Sequence, residues 1–180
     1  AHFKNAGVAA AEVKPKVVQA TTFTYWISMR GAATGMAIFT KLAGSLGRKK
    51  TFALGFTSAL VTTVLVYWKM NSPQDAYWMM FLMTGAQLAV FAGFAIYLPE
   101  LFPSPLRSTG TSFCYNLGRF AAAAGSLFSA ALAKGAYGHL GSPLMERYSA
   151  MTMCVIFLAG LLVLPFAPET MGQPLPEEDR

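Results

Sequence analysis

Acidic side chains are scarce in this sequence, and histidine and cysteine nearly absent. Eight Asp and Glu stand against fourteen Lys and Arg, with two His and two Cys in 180 residues. Charged residues make up 12% of the chain, where a water-soluble domain carries roughly 25%. Five long apolar stretches contain no Asp, Glu or His at all. That removes the paired carboxylates or nucleophile–base pair an intramembrane hydrolase would need. His2 and His139 are far apart, with no carboxylate or cysteine at metal-ligand spacing, so neither a metal site nor an enzyme is expected. No glycine-rich loop of a phosphate-cradling type occurs, and no cofactor is expected. The net charge of +6 is spread between apolar runs, apart from Arg48, Lys49 and Lys50. Without an aromatic-interleaved basic stripe, nucleic acid is not the partner. Cys114 and Cys154 lie inside apolar segments and read as buried free thiols rather than a disulfide. No signal-peptide pattern and no initiator Met are present, and the opening at Ala1 reads as the continuation of a longer chain.

What is abundant is apolar surface. Hydrophobic residues are 54% of the chain and mean hydropathy is positive. A soluble fold of this size would have to hide more apolar surface than its core can hold, so a very greasy soluble helical domain is the minor alternative. The expected fold is all-α: a polytopic membrane helix bundle of about five spans.

The stretch Tyr97–Arg119, YLPELFPSPLRSTGTSFCYNLGR, organises the rest. Pro99, Pro103 and Pro105 predict that the preceding helix ends near Leu98. The spans are expected at 21–43, 51–68, 76–98, 112–133 and 149–167, since about 20 residues cross about 30 Å of hydrocarbon. Residues 1–20 read as an extracytoplasmic loop or helix remnant, with a short helix over Val8–Val13 before Pro15. Residues 168–180 read as an extended acidic, proline-rich tail. In the first span Gly31 and Gly35 form a G-x-x-x-G pair that admits a close neighbour. In the third, Gly85, Ala89 and Gly93 form a small ridge. The fourth carries two ridges, Gly118–Ala122–Ser126–Ala130 and Ala121–Gly125–Ser129–Ala133, which predict a helix packed against others. The second, rich in Val and Leu and read as lacking such ridges, and the fifth, rich in Leu, Val, Ile and Phe, are expected at the lipid-facing periphery. The balance of Lys and Arg between loops places the 44–50 turn, the 99–111 loop and the C-terminus in the cytoplasm.

Polar residues within the spans are the candidates for binding. Arg30 is the sharpest, because a charge inside a span costs several kcal/mol unless paired or hydrated. It reads either as facing a water-filled cavity or as snorkelling to the surface. Tyr25, Trp26 and Thr34 lie near its helical face. Gln87 reads as a hydroxyl or carboxylate reader or as an interhelical hydrogen bond. Tyr115 and Asn116 are weaker candidates, and Asn116 also reads as a cap or helix cross-link. The charges Arg48, Glu100, Arg107, Arg119 and Glu169 share one membrane face, as a switchable network or as ordinary solvated loop charge.

Three segments carry a resemblance. GSLGRKK, PELFPSPLRSTG followed by NLGR, and PETMGQPLPE, in that order, resemble the C-terminal half of major facilitator superfamily transporters, of the sugar-porter and organic-acid symporter branches. The resemblance covers about residues 21–175 and implies that the five spans match helices eight to twelve of a twelve-helix carrier. It implies that Arg48, Glu100, Arg107, Arg119 and Glu169 form a cytoplasmic charge network closing the outward-facing state. Gly44 stands where the family's first loop carries an acid, so that network is incomplete here. The implied function is secondary active transport of a small organic solute, a sugar or organic acid, by alternating access, coupled to protons or sodium. The implied partners are the lipid bilayer and a missing N-terminal bundle, and the implied location is the plasma membrane, the inner one in a bacterium. The alternative is a non-transporting multi-span protein, a packing subunit or a transporter-derived receptor.

Overall fold

A computed structural model describes residues 10–176. His2, Lys4 and the start of the Val8–Val13 helix lie outside the described residues, as do the last acids of the tail and Arg180. Among the described residues the structure is helical, with no strand. In chain order the helices are α1 (Ala10–Leu46), α2 (Arg48–Lys69), α3 (Pro73–Glu100), α4 (Arg107–Gly135), α5 (Leu144–Met153) and α6 (Val155–Val163). Short 3-10 turns cover Gly138–Leu140 and Leu164–Phe166. The result is the all-α bundle of a membrane protein. Three segments among the described residues are long and apolar enough to cross a membrane: α2, α3 and the rod Leu144–Phe166 that joins α5 to α6 at Cys154. α1 and α4 are as long but more polar, carrying Arg30 in one and a run of Ser, Asn, Gly and Ala in the other.

Two prolines stand within helices rather than at their ends. α1 runs through Pro15, where a separate short helix was expected. The ring fixes a helical φ, and so close to the first turn it forfeits one early backbone bond. α3 likewise continues through Pro99 to Glu100, two residues past the expected stop, and yields to Pro103 and Pro105 instead. At the other end of α3, Ser72 and Asp75 form a reciprocal capping box with Pro73 at the first helical position.

α3 is the hub, packing on α1, α2 and α4. Its crossing with α1 is backbone on backbone. A Cβ at Gly31 would fall 2.3 Å from the Phe81 carbonyl oxygen, and one at Gly35 would fall 2.0 Å from that of Gly85. One aromatic core, Phe39, Phe52 and Tyr97 with Phe56 and Phe94, fills the space where α1, α2 and α3 converge. Gly93 leaves room for the Phe39 ring, 2.4 Å from where a Cβ would stand.

α2, expected at the lipid-facing periphery, has one face turned inward through a ridge that was not anticipated. It buries Thr51, Phe52, Gly55, Ala59, Thr63 and Val66. Gly55, Ala59 and Thr63, four apart, are a small-residue ridge that the surrounding Val and Leu conceal. Its opposite face, with Leu54, Val61, Leu65 and Trp68, is exposed. α4, expected to pack against other helices, has no buried residue among the described residues. One of its ridges meets α5, with Gly125 near Met153 and Ser129 hydrogen-bonded to Ser149. The other stays uncovered, with open space at Gly118.

Candidate functional site: a clasp at the tail end and a groove along α4

The turn between α1 and α2, the end of α3 and the tail after Phe166 meet at one end of the bundle. Arg48, the first residue of α2, donates from Nε and Nη2 to Oε2 and Oε1 of Glu100 at 3.1 and 2.7 Å. This two-pronged geometry is the strong form of an ion pair. Both side chains are largely covered, at 17% and 18% exposure. The remaining nitrogen of Arg48 donates to the Ala43 carbonyl at the end of α1. Thr170 of the tail donates its hydroxyl to Glu100 Oε2.

Glu169 adds a cap supplied from elsewhere in the chain. α2 begins at Gly47, which offers no side chain to its free N–H groups. The Glu169 carboxylate accepts from the backbone N–H of Arg48 at 2.8 Å and of Lys49 at 3.1 Å, satisfying two donors left orphaned at a helix start and meeting the positive end of the dipole. Partial burial pushes the Glu169 carboxyl up, yet the backbone N–H groups of Arg48, Lys49, Met171 and Thr170 outweigh it and hold the carboxyl below its ordinary value. Gly47 has φ of +92°, a left-handed conformation that suits glycine. Lys49 Nζ donates to the Pro165 carbonyl and Tyr97 to that of Pro168, which ties the tail to α2 and α3.

Arg107 and Arg119 are not part of this clasp. Arg107 opens α4 and turns its Nε back onto the Pro99 carbonyl, with a longer contact to Phe102. These are carbonyls left without an intrahelical partner where α3 ends. Its Nη2 is buried with no partner among the described residues. Arg119 lies about three turns further along α4. It lines a groove of about 420 Å³ with Phe91, Phe94 and Leu98 of α3 and Cys114 and Tyr115 of α4. Tyr115 packs edge-on to Phe91, ring centres 5.6 Å apart.

The other candidates are dispersed. Arg30 and Trp26 are exposed on one face of α1, and no side-chain partner for Arg30 exists among the described residues. Tyr25 lines a separate pocket between α1 and the start of α3. Thr34 donates to the Arg30 carbonyl and faces the space between α1 and α2. Gln87 donates its amide N–H to Thr63 Oγ1 at 3.0 Å, the interhelical bond that was one of its two readings. Asn116 is exposed on α4. Both cysteines are free thiols. At the far end, Arg147 donates to Asn71 Oδ1 and the Met70 carbonyl, pinning the start of α5 to the α2–α3 turn. Sequence reasoning gave no site role to Gly47, Thr170, Lys49 or Arg147, and named Lys49 only as part of the basic cluster at 48–50. Only Gly47 carried a local signal, as a glycine directly before a helix start.

Comparison with known proteins assigns the class. The family described as sugar (and other) transporter matches residues 3–180. A probable 4-methylmuconolactone transporter of Cupriavidus pinatubonensis is 30% identical over 154 residues, 83% of this chain and 33% of that protein. A cis,cis-muconate transport protein of Acinetobacter baylyi is 29% identical over 136 residues, 73% and 32% respectively. Organic cation/carnitine transporter 7 of Arabidopsis thaliana is 28% identical over 144 residues, 78% and 27%. The chain thus spans about a quarter to a third of the length of these relatives. With bundle, charged tail-end motifs and family match in agreement, the chain belongs to the sugar (and other) transporter family of the major facilitator superfamily, multi-pass membrane proteins that carry small molecules.

Proposed function

We propose that this chain forms part of the C-terminal bundle of a secondary active transporter for a small carboxylated organic solute, working by alternating access. The observation that carries the reading is a pair of arginines, Arg30 and Arg119, set well inside α1 and α4 without an acidic partner among the described residues. A cation at such depth is tolerated where water or an anion reaches it. Arg119 has the more built surroundings: aromatic walls from Phe91, Phe94 and Tyr115 would hold an apolar body while the guanidinium takes a carboxylate by its two-pronged face. The names of two relatives, a muconate and a methylmuconolactone carrier, are in keeping with an organic acid.

Alternating access by rocking needs each bundle to move as a body about a midplane site. The clasp of Arg48, Glu100, Thr170 and Glu169 supports this by welding α1, α2, α3 and the tail at one end. A proton or sodium gradient would drive the cycle, with the remaining helices supplied by the portion of such carriers outside the matched region. The basic 44–50 turn and the tail would face the cytoplasm of the plasma membrane.

The test is uptake of labelled muconate by cells expressing the full-length protein. Arg119→Gln should raise KM by about tenfold or more, the worth of a charge-assisted hydrogen bond, with surface expression intact. Arg119→Lys should recover part of the loss, and a protonophore or sodium removal should identify the coupling ion. Unaltered KM in both Arg119→Gln and Arg30→Gln would sink the anion reading.

A further inference from the structure

We propose that the groove between α1 and α2 holds an anionic phospholipid, its acyl chain lying over α3 and its phosphate held between Lys41 and Lys50. This inference is independent of which solute is carried.

The groove arises from how three helices meet. α1 and α2 each pack on α3 far more extensively than on one another. Because Gly35 and Gly85 let α1 sink onto α3, a cavity of about 350 Å³ opens between Thr34 and Ile38 on one wall and Leu54 and Ser58 on the other, with Gly85 and Ala86 as floor. Ile38 and Leu54 are 52% and 53% exposed, so the cleft is open along its length rather than sealed.

Its chemistry suits a hydrocarbon chain and not a polar solute. No charged residue lines it. The three hydroxyls that do are each turned back onto their own helix: Thr34 to the Arg30 carbonyl at 2.8 Å, Thr51 to that of Gly47 at 2.7 Å and Ser58 to that of Gly55 at 2.9 Å. With these protons spent on their own helices and the other lining side chains apolar, the wall offers no side-chain donor to an acid and only hydroxyl lone pairs to a sugar. In a bilayer such a cleft is filled by lipid.

Charge selects the headgroup. Four cations stand about the 44–50 turn, and two are already engaged: Arg48 with Glu100 and Lys49 with the Pro165 carbonyl. Lys41 and Lys50 are exposed, and among the described residues neither ammonium has a partner. Lys41 follows Ile38 by three residues on α1, and Lys50 precedes Leu54 by four on α2. Residues at those spacings share a helix face, so the two ammoniums flank the turn end of the groove from opposite walls. That is the depth at which a lipid phosphate lies when its chain runs inward.

The experiment uses the delipidated full-length protein in detergent, titrated with phosphatidylglycerol or phosphatidylcholine and read by native mass spectrometry. The anionic lipid should bind about twenty-fivefold tighter, on the order of fivefold for each lysine. Lys41→Gln with Lys50→Gln should bring the two lipids to within about twofold of each other. Ser58→Phe should fill the groove and weaken both lipids on the order of tenfold. Leu54→Ser, which shortens the wall, should weaken both in the same way and serves if the first variant fails to fold. The proposal is overturned if the wild-type protein does not prefer the anionic lipid, if the double lysine variant keeps the preference, or if the foldable groove variants bind as well as wild type. Full displacement of the anionic lipid by millimolar inorganic phosphate would also overturn it, reducing the site to an ion on two lysines.

Discussion

Glu169 and Gly47 fit each other at a distance of more than a hundred residues in sequence. A Cβ on Gly47 would stand 2.9 Å from Glu169 Oε2. The glycine supplies both the left-handed turn that starts α2 and the space through which the tail's carboxylate reaches the first N–H groups of that helix.

Gly47→Ala therefore meets two penalties, a strained φ and a carboxylate pushed off its donors. The expected loss is about 1–3 kcal/mol, read as a lower unfolding midpoint in denaturant or on heating. Gly44→Ala is the control. A Cβ there meets nothing within 4 Å, and in a helix interior the exchange should be neutral or stabilise by up to about 1 kcal/mol. Equal destabilisation of the two would refute the steric argument.

The cap has a pH signature. Because the folded-state pKa of Glu169 is depressed, its contribution is fully present above the ordinary carboxylate pKa and is lost as pH falls through the lower folded value. Stability measured from neutral pH downwards should hold until the acid range and then decline. Glu169→Gln should lower the neutral plateau and flatten that decline, and an unchanged acid limb would remove Glu169 from the linkage.

Much of this was legible beforehand, and the reasons for the rest are physical. The glycines at 31, 35, 85 and 93 announce close crossings, since only small residues let backbones touch. The small ridge of α2 escaped notice because Gly55, Ala59 and Thr63 sit within a run of Val and Leu that dominates hydropathy. Pro15 and Pro99 misplaced helix ends because a proline near a terminus forfeits a single bond. Capping of α2 by Glu169 could not be read locally, for a cap is ordinarily sought in the residue before the helix. Arg119 was grouped with the loop charges by motif, whereas three helical turns carry it into the groove beside Tyr115.

Arg48 and Glu100 invite a double-mutant cycle. Each single change to Ala leaves the other charge largely covered and unpaired, so each should cost more than the pair removed together. The coupling should lie at about 1–3 kcal/mol, above that of an exposed ion pair. Arg48→Lys should not restore it, since a point charge cannot make the two-pronged contact. Additive single effects would show that the pair is decorative.

The crossing of α1 on α3 offers the harshest test. At Gly35 a Cβ would overlap the Gly85 carbonyl oxygen, and Gly35→Leu must force the helices apart. Such overpacking costs typically about 1–3 kcal/mol or more, and should appear as loss of monodisperse protein on size exclusion in detergent. Gln87→Leu, which removes the bond to Thr63 and not the crossing, should cost only about 0.6 kcal/mol and leave the elution profile intact.

The rod of α5 and α6 is fastened at both extremities. Arg147 ties it to Asn71 and Met70 at one end, and Lys49 and Tyr97 hold the Pro165 and Pro168 carbonyls at the other. A beam pinned twice can bow but cannot swing. Tilt among the described helices should fall first to α4, no residue of which is buried and which is hydrogen-bonded to its surroundings only by Arg107 on the Pro99 and Phe102 carbonyls at its start and by Ser129 on Ser149 further along.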